Sequence, residues 1–182
     1  MNSQSDIAVS FTGNRLLTPP RDYVTHNLEG DICSMLSHIL EECYKEGKKI
    51  FLSGGAVGFD TIAAEEVLRL KERHCDVELM LVVPFEGQDS KYPEAERERY
   101  NRLLSQADKV VKISEHYRIG AYHLRNEYLI SHSSLIVAYN NSERSGGTAS
   151  TIQRALKRGL EVINIYDMFL GINQEVQLQL PF

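Results

Sequence analysis

Six short apolar runs, Ile7–Phe11, Lys49–Leu52, Val77–Val83, Lys109–Ile113, Leu135–Tyr139 and Glu161–Ile165, alternate with segments whose apolar residues recur every three to four positions. Most of the runs are continuously apolar instead of alternating, the pattern of parallel strands covered on both faces. The intervening segments predict helices over Asp31–Glu46, from Phe59 through Leu70, over Pro93–Ser105, over Ile119–His132 and over Thr148–Arg158. Strand followed by helix, repeated without a long polar linker, predicts an α/β fold: about six strands in a mainly parallel, doubly wound sheet flanked by helices. In such a sheet ligands bind outside the carboxyl ends of the strands. Unusual residues are therefore expected after strands, not before them.

They do follow strands. "FTGNR" (Phe11–Arg15) comes after the first run, "SGGAVGFD" (Ser53–Asp60) after the second, "PFEGQ" (Pro84–Gln88) after the third and "NNSERSGGTAST" (Asn140–Thr151) after the fifth. Glycine at a strand-to-helix junction has two readings: a turn that needs positive φ, or backbone N–H groups that approach an anion at a helix start. Gly13, Ser53, Gly54, Gly55, Gly58, Gly146, Gly147 and Thr148 are the candidates to cradle phosphate. Arg15 and Arg125 are the candidate countercharges, because a guanidinium fork matches a phosphate edge. Asn14 and Asn126 are candidates for ribose binding or loop ordering, with Asn126 expected inward on a stripe with Ile119, Tyr122, Leu129 and Ile130. Asp60, in the first turn after the glycines, is open to three roles: a dipole-favoured structural carboxylate, a ribose acceptor or a general base. Pro84 and Phe85 are the candidate apolar wall for a base.

At 182 residues the chain suits one domain, residues 1–182, and a length of this order buries roughly 70% of its unfolded surface. Met168–Phe182 reads as a C-terminal extension whose alternating apolar end suits an edge strand or a cover for a neighbouring chain. The formal charge of −5 gives no overall pull toward nucleic acid, and there is no tryptophan. Cys33, Cys43 and Cys75 lack C-x-x-C spacing and read as idle helix thiols; no leader or membrane-spanning run is visible, so a cytoplasmic protein is expected. The six histidines show no metal spacing, and no metal is assigned. Neither a G-x-G-x-x-G nor a Walker fingerprint is present, and no G-x-S-x-G elbow supports a hydrolase nucleophile.

In this order and spacing, "FTGNR", "SGGAVGFDTIAAE", "PFEGQ", "YRIGAYHLRNEY" and "SGGTASTIQRA" resemble the YpsA-like family of the SLOG superfamily. The resemblance runs from about Ile7 to Ile165 and implies a Rossmann-like domain with a nucleotide-type pocket. Its implied ligand is a nucleoside phosphate or an ADP-ribose-like compound, held by a sensor or regulator. Two relatives in the superfamily imply alternatives. The LOG phosphoribohydrolases cleave a base from a ribose phosphate with an arginine, matched here by Arg125, and a glutamate, matched by Gln153. An amide cannot exchange a proton near neutral pH, so an N-glycosidase would have to draw its carboxylate from Asp60 or Glu143. DprA, similar around the second motif, implies single-stranded DNA handling, for which Arg118, Tyr122 and Tyr128 would form a small patch. A homodimer is expected by analogy alone.

Overall fold

The computed structural model describes residues 7–141 and 146–171. Its strands are β1 (Ala8–Gly13), β2 (Ile50–Ser53), β3 (Glu78–Val83), β4 (Lys109–Lys112), β5 (Leu135–Tyr139) and β6 (Glu161–Asn164). They form one parallel sheet in the order β4-β3-β2-β1-β5-β6. The helices are α1 (Leu28–Lys45), α2 (Phe59–Arg73), α3 (Glu94–Gln106), α4 (Ala121–Ser131) and α5 (Gly147–Lys157), with a 3-10 turn over Gln88–Lys91 and a last helical segment over residues 165–171. The expected α/β doubly wound architecture is thus the one observed.

The chain first builds outward from β1 to β4 and then returns to lay β5 on the other side of β1. That reversal opens a crevice at the carboxyl ends of β1 and β5. Register there is fixed by Thr12 opposite Ala138 and Gly13 opposite Tyr139. The turns after both strands are consequently neighbours.

Strand side chains alternate between two cores. Val9, Phe11, Phe51, Leu79, Leu81, Val137 and Tyr139 pack with α1, α2 and segment 165–171 through Leu36, Leu40, Phe59, Val67 and Phe169. On the other face Ala8, Leu52, Met80 and Val82 meet Leu129 of α4, and Ile136 and Ala138 meet Ala155 of α5. Fully burying one such aliphatic or aromatic side chain is worth about 1.5–3 kcal/mol, so these two layers supply the main cohesion. Ser10, buried among them, is satisfied by donating to the Leu129 carbonyl at 2.9 Å. On the surface Arg99 of α3 ties α2 and α1 by pairing with Glu65 at 2.7 Å and Glu29 at 3.0 Å.

Helix ends differ from expectation for local reasons. α1 begins at Leu28, ahead of the expected Asp31, because Asn27 caps it by accepting from the Gly30 amide at 3.0 Å. α4 begins at Ala121 after Gly120 takes a left-handed conformation, which leaves Ile119 outside the helix and 94% exposed. Ile119 is therefore not part of an inward stripe with Asn126. Cys75 sits in a turn after α2 and is exposed, whereas Cys43 is buried and its thiol pushed up to about 11 by burial. Residues 168–171 continue a helix; the alternating end of the extension lies outside the described residues, as does Glu143.

Candidate functional site

At the β1/β5 crevice the turns close around a cavity of about 320 Å³. Gly13, Asn14 and Arg15 reach it from the end of β1, Ala56 from the β2–α2 turn, Asp60 from the first turn of α2, Tyr122, Arg125 and Asn126 from α4, and Gly147 and Thr148 from α5. Nine of the residues singled out in sequence line this one space or sit at its rim: Gly13, Asn14, Arg15, Asp60, Arg125, Asn126, Gly146, Gly147 and Thr148.

The floor is a buried network. Asp60 is 4% exposed and Arg125 is 7% exposed, with Arg125 Nη1 at 3.5 Å from Asp60 Oδ2. The Gly13 and Ala56 amides also donate to the Asp60 carboxylate. Burial pushes the Asp60 carboxyl above its ordinary range, and the Arg125 charge and these amides only partly offset that. Arg125 Nε donates to Asn126 Oδ1 at 2.7 Å, and Asn126 Nδ2 donates to Thr151 Oγ1 at 2.9 Å. Asn126 thereby ties α4 to α5, the partner its inward placement demands.

Asn14 clamps the rim. Its amide donates to the Tyr139 carbonyl at 3.0 Å, its carbonyl accepts from the Phe59 amide at 3.2 Å and its Oδ1 accepts from the Asn141 amide at 3.0 Å. One side chain and its backbone therefore fix the ends of β1 and β5 and the start of α2 relative to one another.

The β2–α2 turn departs from the expected phosphate cradle. Ser53 is fully buried, donates to the Asp60 carbonyl at 2.8 Å and accepts from the Gly55 amide at 3.2 Å. A Cβ on Gly54 would stand 1.3 Å from Arg125 Nη1, so this glycine makes room for the buried guanidinium. Gly58, at φ 93°, brings its α carbon against the Asn14 and Arg15 carbonyls, where a Cβ would come within 2.4 Å. Ser53, Gly54, Gly55 and Gly58 lie outside the cavity lining, and the Ser53 hydroxyl, the Gly55 amide and the three glycine carbonyls are bonded within the protein. Two amides at the start of α2 are likewise occupied, that of Phe59 by the Asn14 carbonyl and that of Thr61 by the Ala56 carbonyl, at 3.2 Å each.

The start of α5 is different. Gly146, at φ 125°, precedes it with no capping side chain, and no described residue accepts from the Gly147 or Thr148 amides. Among the described residues nothing lies within 4 Å of where a Cβ on Gly146 or Gly147 would stand. Amides without an acceptor among the described residues, at the positive end of an 11-residue helix that lines a cavity, suit an anion. Arg15 is exposed, stands in no ion pair among the described residues and lies 5.8 Å above the Tyr122 ring.

Beyond Arg15 and Tyr122 a second cavity of about 640 Å³ opens, with Phe85 on its wall. Pro84 is buried and lines neither cavity, so of the expected apolar wall Phe85 alone is in place. Tyr122, expected on the inward stripe with Asn126, stands between the two spaces; Gln88, Tyr92 and Tyr117 around the second were not singled out. Their signal was present only as position: all follow β3 or precede α4, at the same sheet edge. Among the described residues no three His, Cys, Asp or Glu side chains gather to hold a metal ion, and no helix is long and apolar enough to cross a membrane.

The chain was compared with known proteins. It is 34% identical over 116 residues to a UPF0398 protein of Halalkalibacterium halodurans, a match covering 63% of this chain and 61% of that relative's length. It is 32% identical over 124 residues to the uncharacterized SPbeta prophage-derived protein YoqJ of Bacillus subtilis, covering 62% of this chain and 72% of YoqJ. A UPF0398 protein of Bacillus cereus is 28% identical over 143 residues, 78% of this chain and 77% of its own. The profile described as the YspA SLOG family matches residues 28–169, from the first residue of α1 into the last helical segment. With the doubly wound sheet and the clustered turns, that match over most of the chain places it: this protein belongs to the YspA SLOG family.

Proposed function

We propose that the protein binds a phosphorylated ribose compound, a nucleoside phosphate or an ADP-ribose-like molecule, and acts as a sensor or regulator. The observation that carries this reading is the shared cavity of about 320 Å³, lined both by the start of α5, whose first amides have no acceptor among the described residues, and by Arg15, which has no ion pair among them. The Gly147 and Thr148 amides would hold the phosphate, Arg15 would neutralise it, and Thr12 and Asn14 would border the ribose. Charge-assisted hydrogen bonds of this kind are roughly twice as strong as neutral ones.

Binding without turnover is favoured over glycosidic hydrolysis by the state of Asp60. Its oxygens already accept from Arg125 and from two backbone amides, so the carboxylate is committed to the fold rather than free to serve a substrate. Gln153 stands where a phosphoribohydrolase would carry its glutamate.

A thermal-shift series with AMP, ADP and ADP-ribose tests the reading. Ligand at a hundred times its Kd should add about 2.7 kcal/mol of stability. Absence of stabilisation by all three contradicts nucleotide binding, and free base accumulating in the same incubations contradicts the sensor role.

A further inference from the structure

Arg15 and Tyr122 line both cavities, so the two spaces adjoin at that pair. The Arg15 guanidinium carbon stands 5.8 Å from the centre of the Tyr122 ring, a cation–π distance that holds the charge at the boundary. In the first cavity Asp60 is the one carboxylate among the lining residues, and Arg125 stands 3.5 Å from it, which leaves Arg15 as the cation in excess. Among the described residues no carboxylate lines the second cavity, where Lys91 and Ser90 join Arg15. Lys91, at the end of the 3-10 turn, is exposed and stands in no ion pair among the described residues. The carboxylates nearest to it in sequence are taken, Asp89 by Arg97 at 4.0 Å and Glu86 by Lys112 at 2.7 Å. The cleft thus carries uncompensated positive charge at two points in a chain whose formal charge is −5. Excess charge of one sign in a walled cleft concentrates ions of the other. The wall is supplied by Phe85, which meets Tyr117 and Tyr122 edge-on at 5.3 Å and 5.6 Å, and a charge beside such rings is screened less than one in open water.

We propose that the ligand carries at least two phosphoryl groups: one at the start of α5, and the next passing Arg15 into the second cavity, where Lys91 supplies its countercharge. This rests on the nucleotide reading above and narrows it from nucleoside monophosphates to nucleotides with a diphosphate or longer chain. A single phosphate at the start of α5 leaves Lys91 unused, because Lys91 lines only the space beyond Tyr122. Lysine suits the second position, since a compact ammonium on a flexible stem reaches a phosphate without a fixed geometry. Arg15, at the boundary, serves both groups.

Calorimetric titration of the intact protein with AMP and ADP tests this, in buffer free of divalent cations that would mask the second phosphate, with the wild type, Lys91→Ala and Lys91→Glu. The wild type is expected to bind ADP about 3- to 10-fold more tightly than AMP, between the worth of an exposed ion pair and that of a hydrogen bond to a charged group. Lys91→Ala is expected to bring ADP most of the way to the affinity of AMP while AMP itself is unchanged, and Lys91→Glu to place ADP below AMP. Because Lys91 is exposed, both variants are expected to melt with the wild type. AMP binding at least as tightly as ADP in the wild type, or an ADP advantage undiminished in both variants, overturns the inference and leaves nucleotide binding standing. Equal loss of both ligands in Lys91→Ala also overturns it, because Lys91 would then act on the first phosphate or on the fold. No binding of either ligand by the wild type defeats the nucleotide reading and this inference with it.

Discussion

Two glycine-rich turns precede helices at the same sheet edge, and they are used in opposite ways. In the turn before α2 the space around glycine is filled by the protein itself, with Arg125 Nη1 1.3 Å from a Cβ on Gly54 and the Arg15 carbonyl 2.4 Å from one on Gly58. At the start of α5 no described residue lies within 4 Å of such a position at Gly146 or Gly147. The first turn's amides point at Ser53, Asp60, Asn14 and Ala56; no described residue accepts from the second turn's Gly147 and Thr148 amides. A glycine run therefore reports close approach or unusual φ, and only the tertiary partners decide whether the approaching group belongs to the chain or to a ligand.

The sharpest way to break this contrast is Gly54→Ala. The methyl group displaces the Arg125 guanidinium from its place beside Asp60, and a loss of about 4 kcal/mol is expected in urea unfolding, the range for a disrupted buried charge pair. Near-normal stability would mean that the first turn is not filled as described. Next in size is Asp60→Ala, which strips the buried Arg125 of its counter-ion and two amides of their acceptor; about 3–5 kcal/mol is expected.

The same residue gives a pH test. Burial raises the Asp60 pKa above the ordinary 3.8, so the fold favours the protonated form. Its contribution is complete below the unfolded value and is lost as pH rises through the folded one. Relative to Asp60→Asn, which does not titrate there, the stability of the wild type should fall as pH rises from about 4. A difference that grows with pH would show that Arg125 outweighs desolvation.

On the second turn the expected effects move from stability to binding. Arg15→Ala is expected to change stability by less than about 0.5 kcal/mol and to weaken AMP by about 1.5–3 kcal/mol, the worth of a hydrogen bond to a charged group. A large stability loss with unchanged affinity would give Arg15 a structural role. Smallest is Gly147→Ala, whose new Cβ meets no described residue within 4 Å in the first turn of α5 and which should raise stability by about 0.5–1 kcal/mol through helix propensity. Destabilisation there would erase the difference between the turns.

Continuous apolar runs such as Leu135–Tyr139 made the sheet legible in sequence, because a strand covered on both faces has no polar side to show. The start of α1 was less so, since Gly30 resembles a breaker until Asn27 is seen to cap its amide. The cavity's location followed from the strand-end rule and brought Asn14, Arg15, Arg125 and Gly147 together. Which amides are consumed was not legible: the group that claims the space at Gly54 comes from Arg125, far along the chain. Gln88 escaped for a related reason, as a loop residue's spacing carries no period from which to read its direction.

The contrast between the turns is tested most directly by following backbone amide resonances of the labelled protein during titration with AMP. The Gly147, Thr148 and Arg15 amides are expected to show the largest shifts, while Gly55, Ala56 and Phe59 stay nearly unchanged because their hydrogens are already bonded within the protein. Largest shifts at Gly54 through Phe59, with Gly147 and Thr148 unmoved, would contradict the account.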